Sequence, residues 1–326
     1  MIEEYGGYLP FEFKNGNEYY QGKDVVALNC ARNAIVYAVR DAQYDRIWIP
    51  FYMCESVRQT LERYGIRYAV YHMNERLEPI DVCMDLGDCI LYPHFFGIFT
   101  KEKIDAVIER YQQVILDNTQ AFFVKPDDRV YNVYSCRKFF GVSDGAYVVK
   151  KGIKHFDYPQ DCSADRTLHL FKSIEKGTNA AYEDSLRAEE MLSDAPVMEM
   201  SVLTHKILQS TDYEGAVKRR RENFLTVNEK MKEWGIMDIQ LPEENVPMIY
   251  PFFCKHKDAR RILIENMIYI PQWWKYLLDY SEINEVEREL SNYLLPLPID
   301  QRYDREDILH MLSIIRGEFR KQGIWE

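Results

Sequence analysis

Residues Val114–Val149 read VILDNTQAFFVKPDDRVYNVYSCRKFFGVSDGAYVV, and the punctuation of this stretch decides the fold. Val114–Leu116 is an apolar run that ends at Asp117. Val130–Tyr134 and Ala146–Val149 are two more, separated by a passage holding Gly141, Asp144 and Gly145. Short apolar runs without polar alternation predict strands covered on both faces. Upstream, Val25–Leu28, Arg46–Ile49 (closed by Pro50), Tyr68–Tyr71 and Asp88–Tyr92 repeat the pattern. They alternate with helical spacing at Asn33–Arg40, Ser56–Arg63 and Lys101–Tyr111. Strands alternating with helices predict a mostly parallel α/β sheet.

Beyond about Lys172 the texture changes. A charged helical stretch, Ser173–Leu192, leads to helical patterns at Val202–Leu208 and Tyr213–Trp234, the latter stopped by Gly235. Short strands are expected at Met237–Ile239, Ile249–Cys254 and Leu294–Leu297. Helices are expected near Asp258–Glu265, Glu282–Leu290 and Arg305–Phe319. The 326 residues are about twice the commonest domain length. The expected division is a large domain over 1–174, then connecting helices and a smaller C-terminal α/β domain over 175–326.

Composition narrows the function. A hydrophobic fraction of 47% excludes general disorder, and no run approaches the ~20 apolar residues of a membrane span. The net charge of −11 argues against a nucleic-acid partner, and the one dense basic run, Lys218–Arg221, lies in a helical pattern beside Glu222. Glu3 and Glu4 stand where a signal peptide would be basic and then apolar, and the seven cysteines form no CxxC pair, so a cytoplasmic protein is expected. The histidines show no metal-ligand spacing with one another or with a cysteine, and no metal is expected. No Gly-x-Gly-x-x-Gly follows Val25–Leu28, which disfavours a dinucleotide site. Gly141-Val142-Ser143-Asp144-Gly145 has the Gly-x-Ser-x-Gly spacing but leads into the strand Ala146–Val149 rather than a helix, so it is no nucleophile elbow and serine hydrolysis is disfavoured.

Chemistry concentrates at two strand ends. In open α/β sheets, ligands bind outside the carboxyl ends of the strands. Asp117 stands at such an end with Gln120 on the same turn, although an acid there also serves as a loop cap. Ser135 and Lys138 follow the next strand, with Phe139 and Phe140 behind them. An amine shielded in this way is a candidate nucleophile toward a carbonyl.

Asp117-Asn118-Thr119-Gln120-Ala121, then Ser135, Lys138 and Asp144-Gly145, resembles the DegT-type sugar aminotransferases, a branch of the fold-type-I pyridoxal-phosphate enzymes. The resemblance implies that fold, with pyridoxal 5′-phosphate bound through Lys138 as a Schiff base. Asp117 would face the pyridine nitrogen, Gln120 the 3′ oxygen, and Ser135 the phosphate. Ala31 and Arg32, before the Asn33–Arg40 helix, sit where the family has its phosphate turn. Ile49-Pro50-Phe51-Tyr52 sits where a family loop stacks an aromatic on the ring, which makes Tyr52 the expected stacker, whereas a strict count from Pro50 points nearer Cys54. His94, after the Asp88–Tyr92 strand, and Trp273 are expected on the substrate side, with one of Trp273 and Trp274 packed and the other a wall.

The sequence departs from the family at Ala31-Arg32, where Gly-Thr is common, and in the short Ser135–Lys138 spacing, which could leave part of the serine's role to Arg137. The resemblance implies a homodimer that transfers an amine, from glutamate or another amino-acid donor, to a keto-sugar, with a nucleotide-linked one expected. The competing readings are a pyridoxal-phosphate enzyme acting on a small amino acid and a non-catalytic binding or regulatory relative of the same fold.

Overall fold

The computed structural model describes residues 5–325; Met1–Glu4, and with them the Glu3 and Glu4 of the leader argument, and Glu326 lie outside the described residues. Among the described residues ten strands run in chain order: β1 Val25–Leu28, β2 Arg46–Pro50, β3 Arg67–Met73, β4 Pro79–Ile80, β5 Asp88–Pro93, β6 Val114–Asp117, β7 Tyr131–Ser135, β8 Ala146–Val149, β9 Tyr250–Phe253 and β10 Leu294–Leu297. The helices are α1 Ala31–Ala42, α2 Glu55–Arg63, α3 Lys101–Tyr111, α4 Leu168–Lys176, α5 Tyr182–Ser193, α6 Val202–Gln209, α7 Tyr213–Glu233, α8 Ala259–Glu265, α9 Glu285–Tyr293 and α10 Arg305–Lys321.

Eight strands form one sheet in the order β1-β8-β7-β6-β5-β2-β3-β4. The central run from β3 to β7 pairs in parallel, while β8, β1 and β4 join antiparallel at the two sides. Both faces are covered, which is why the strands read as unbroken apolar runs. On one face Ile115 packs with Ile47, Ile49 and the α1 residues Ala34–Val39. On the other Val114 and Leu116 pack with Ile104, Val107 and Ile108 of α3. Because side chains alternate along a strand, Asp117 follows Ile115 toward the α1 face and Asn118 follows Leu116 to the opposite one.

The strands β9 and β10 form a separate antiparallel pair, closed into a third apolar cluster by α7, α8 and α10. Two expectations fail here. Ser173–Leu192 is two helices, because the chain leaves the helical conformation at Gly177, whose φ is +83°. Met237–Ile239 is no strand: the Ile239 N–H donates to Asn228 Oδ1 on α7 at 2.8 Å, taking a side chain in place of a ladder partner. Among the described residues no helix is long and apolar enough to cross a membrane.

Candidate active site

A cavity of about 280 Å³ opens at the carboxyl ends of the parallel strands, on the α1 face of the sheet. Asp117, Thr119, Gln120, Ser135 and Lys138 line it together with Ala31, Arg32 and Trp274. The first wall comes from β6. Asp117 is buried, and its Oδ1 accepts the Thr119 N–H at 3.0 Å, closing the turn after the strand. Among the described residues Oδ2 has no hydrogen-bond partner. Gln120 is fixed in one orientation because its Oε1 accepts the Phe96 N–H at 2.8 Å. Its amide nitrogen is therefore the edge left for a ligand.

That contact depends on an uncommon backbone. Phe96 has φ +63°, a region that L-residues with a side chain rarely adopt. Gly97 follows at φ +75°, and a Cβ there would stand 2.7 Å from the Gln120 carbonyl oxygen. The tight turn after β5 and the turn after β6 are thus packed directly on each other.

The second wall is the turn after β7. Lys138 Nζ donates to Thr119 Oγ1 at 3.1 Å, which holds the amine over the Asp117–Gln120 turn. The carbonyl of the next residue, Phe139, accepts from Gln301 Nε2 at 2.7 Å and from the buried Arg220 at 3.4 Å, whose guanidinium also lies over the Phe139 ring. Arg220, read from sequence as part of an ordinary basic helix face, is an internal brace for the lysine turn. Burial lowers its pKa to about 10. Downstream, Asp144 accepts from Ser201 N and Oγ at 2.8 and 2.7 Å and from the Thr204 hydroxyl, tying the same turn to the start of α6.

The third wall is the start of α1. Cys30 is the N-cap and makes no side-chain cap bond, so the first-turn N–H groups of Ala31 and Arg32 find no protein acceptor among the described residues. The Arg32 and Arg137 guanidinium groups stand beside that helix end. Both reach Glu189 on α5, Arg32 Nη1 at 3.4 Å and Arg137 Nη2 more closely. Burial pushes the Glu189 carboxyl up, but Arg137 and Arg32 outweigh it and hold it below the usual range.

Three expected site residues lie elsewhere. The Tyr52 ring does not line the cavity; it is fully buried against Trp274 and Phe95, and Met53 and Cys54 take the wall position, as the strict count from Pro50 implied. His94 is buried on the opposite face, where Nε2 accepts the Phe99 N–H at 3.0 Å and the ring stacks on Phe99. Trp273 stacks on Phe96 and Trp274, so that Trp274 is the cavity wall and Trp273 its support. Sequence reasoning passed over Thr119 and Glu189. Thr119 shared a turn with two chosen residues and could have been found; Glu189 lay in an ordinary charged helix and gave no signal.

No protein-family model matches the sequence, and no curated protein matches it. Solved structures do. The sugar aminotransferase CalS13 from Micromonospora echinospora superimposes with a TM-score of 0.60, covering 90% of this chain and 87% of its own, at 14% identity. The chain has the fold of the sugar aminotransferases. TlmJ, an aminotransferase from Streptoalloteichus hindustanus, gives 0.62 over 92% of this chain and 87% of its own at 13% identity. The putative sugar aminotransferase Spr1654 from Streptococcus pneumoniae, in its PLP form, gives 0.61 over 91% and 87% at 11% identity. The fold-type-I architecture expected from the sequence is therefore present nearly end to end.

Proposed function

We propose that this chain is a pyridoxal-phosphate-dependent aminotransferase acting on a keto-sugar, with a nucleotide-linked sugar as acceptor substrate and glutamate as amine donor. The observation that carries the reading is the convergence of Lys138, Asp117, Gln120, Ser135 and the α1 N-terminus on one cavity. The donor set suits this cofactor: an amine, a carboxylate oxygen without a partner, an oriented amide nitrogen, and a helix end flanked by two guanidinium groups. Bound there, pyridoxal phosphate supplies an electron sink for the carbanion formed when the substrate loses its α proton.

The protein's own groups do the rest. Lys138 Nζ would hold the aldehyde carbon and, as a free amine, would be the group placed to move a proton at the reacting carbon. The Thr119 hydroxyl keeps that amine over the site at 3.1 Å. Asp117 Oδ2 would pair with the protonated ring nitrogen, while Oδ1 stays committed to the turn. Gln120 Nε2 would donate to the 3′ oxygen, in the orientation that Phe96 imposes. The N–H groups of Ala31 and Arg32, the Ser135 hydroxyl, and the Arg32 and Arg137 side chains would hold the phosphate. The reading includes a homodimer and a cytoplasmic location.

A half-reaction followed by stopped-flow absorbance tests it. L-Glutamate should replace the visible band of the bound cofactor with the shorter-wavelength band of its aminated form. A nucleotide-linked keto-sugar should then restore the visible band far faster than pyruvate or oxaloacetate does. Restoration by those small acids, with no response to a panel of keto-sugars, would replace the sugar reading with the small amino-acid one. Bound cofactor that answers to no amino donor would point to the non-catalytic relative.

A further inference from the structure

Glu189 enters the cavity from α5, an element that is not part of the sheet whose strand ends carry the other groups. Its two carboxylate oxygens are divided between two cations, Oε1 to Arg32 and Oε2 to Arg137. Those are the cations beside the free N–H groups of Ala31 and Arg32, so a carboxylate of this chain already engages the charges that a phosphate would use. The three partners differ in freedom. The Arg32 side chain is only 8% exposed and is also tied to Ser193 Oγ at 3.4 Å, whereas the Glu189 side chain is 46% exposed. Glu189 is the member that can turn out into water, giving up ion pairs that solvent already screens.

Charge counting gives the direction. Two guanidinium groups and one carboxylate leave a single positive charge. A phosphate monoester near its dianionic form balances the two guanidinium groups by itself. With both anions present the cluster is over-neutralised, and two like charges crowd the same cations.

We propose that Glu189 occupies the anion subsite of the chain before cofactor binds and is displaced by the phosphate of the incoming cofactor, so that α5 acts as a latch on that subsite. The phosphate releases the latch; the pyridine ring and aldehyde do not. This rests on the pyridoxal-phosphate reading for the identity of the ligand, but not for the competition between two anions.

The test uses the full-length, cofactor-free protein and its Glu189→Gln and Glu189→Asp variants. Pyridoxal phosphate and its phosphate-free analogue pyridoxal are titrated by quenching of tryptophan fluorescence, for which Trp274 in the wall is the reporter. Inorganic phosphate is titrated by calorimetry. Glu189→Gln removes the competing charge at constant size and should tighten pyridoxal phosphate and inorganic phosphate by about tenfold, the scale of one partly exposed charge pair at close range. Pyridoxal should bind as it does to the parent, and Glu189→Asp, which keeps the charge, should stay near the parent for all three. Weaker phosphate binding in Glu189→Gln would overturn the latch and make Glu189 a positioning residue for the two arginines. Unchanged phosphate binding, or an equal gain for pyridoxal, would also overturn it. If neither protein binds pyridoxal phosphate while inorganic phosphate still tightens tenfold, the latch stands and the cofactor assignment falls. If pyridoxal phosphate binds the parent and Glu189→Gln equally well, the latch falls and the cofactor assignment stands.

Discussion

Asp117 shows how a single residue satisfies both a structural and a chemical reading. Its Oδ1 caps the turn through the Thr119 N–H, as an acid after a strand commonly does, and its Oδ2 remains in the cavity wall without a partner. Asp117, Gln120, Ser135 and Lys138 were legible because each follows a strand end closely, where the backbone alone decides what lies near. Tyr52 and His94 stand as close to strand ends, but His94 follows Tyr92 to the opposite face of the sheet, and packing turns the rings of Tyr52 and Trp273 away from the cavity. The His94 environment carries a consequence for pH. Burial, and to a lesser extent the Lys103 charge, lower its pKa from 6.5 to about 4, with Asn118 offsetting part of the effect. The unfolded chain therefore takes up a proton below about pH 6.5 that the folded chain refuses until about pH 4. Its stabilising contribution is complete above pH 6.5 and is lost progressively as pH falls through that window, by at most about 1.4 kcal/mol per pH unit. Thermal melts between pH 7 and 4.5 should show a smaller acid loss in His94→Gln than in the parent. Parallel curves for the two proteins would mean that His94 is not the group responsible.

Helices and strands with strong local patterns fell where periodicity put them: Lys101–Tyr111 is α3 to the residue, and β1, β8 and β10 match their apolar runs. The α4–α5 pair was less legible. Its composition is continuously charged and helical, and only Gly177 and the residues after it break it. Leu168, Phe171 and Ile174 of α4 and Tyr182 and Leu186 of α5 are exposed, and Phe171 is covered only in part by a stacked Phe11. Exposed apolar side chains in such number on adjacent helices mark a surface suited to association. If a second copy of the chain covers it, sedimentation at micromolar concentration should give twice the 38.8 kDa chain mass. Leu168→Glu combined with Ile174→Glu should return the protein to that single mass. A parent that sediments as a monomer would remove the homodimer from the account.

At the scale of the molecule, the doubly covered parallel sheet was legible because its short unalternating runs have few other uses. What was not legible was which distant elements would meet. Arg220 on α7 and Gln301 before α10 converge on the carbonyl after Lys138, and Glu189 arrives at Arg32 from far along the chain. Such contacts depend on the paths of long connections and leave no local pattern. The resulting arrangement makes one amine the centre of the site, braced from the turn after β6 by Thr119 and from behind by Gln301 and Arg220. The most direct measurement is therefore borohydride reduction of the protein with pyridoxal phosphate, followed by peptide mass mapping. The account predicts a pyridoxyl adduct on the peptide containing Lys138, and its absence from a Lys138→Ala variant. An adduct on a different lysine, or bound cofactor with no reducible link to any lysine, would contradict it.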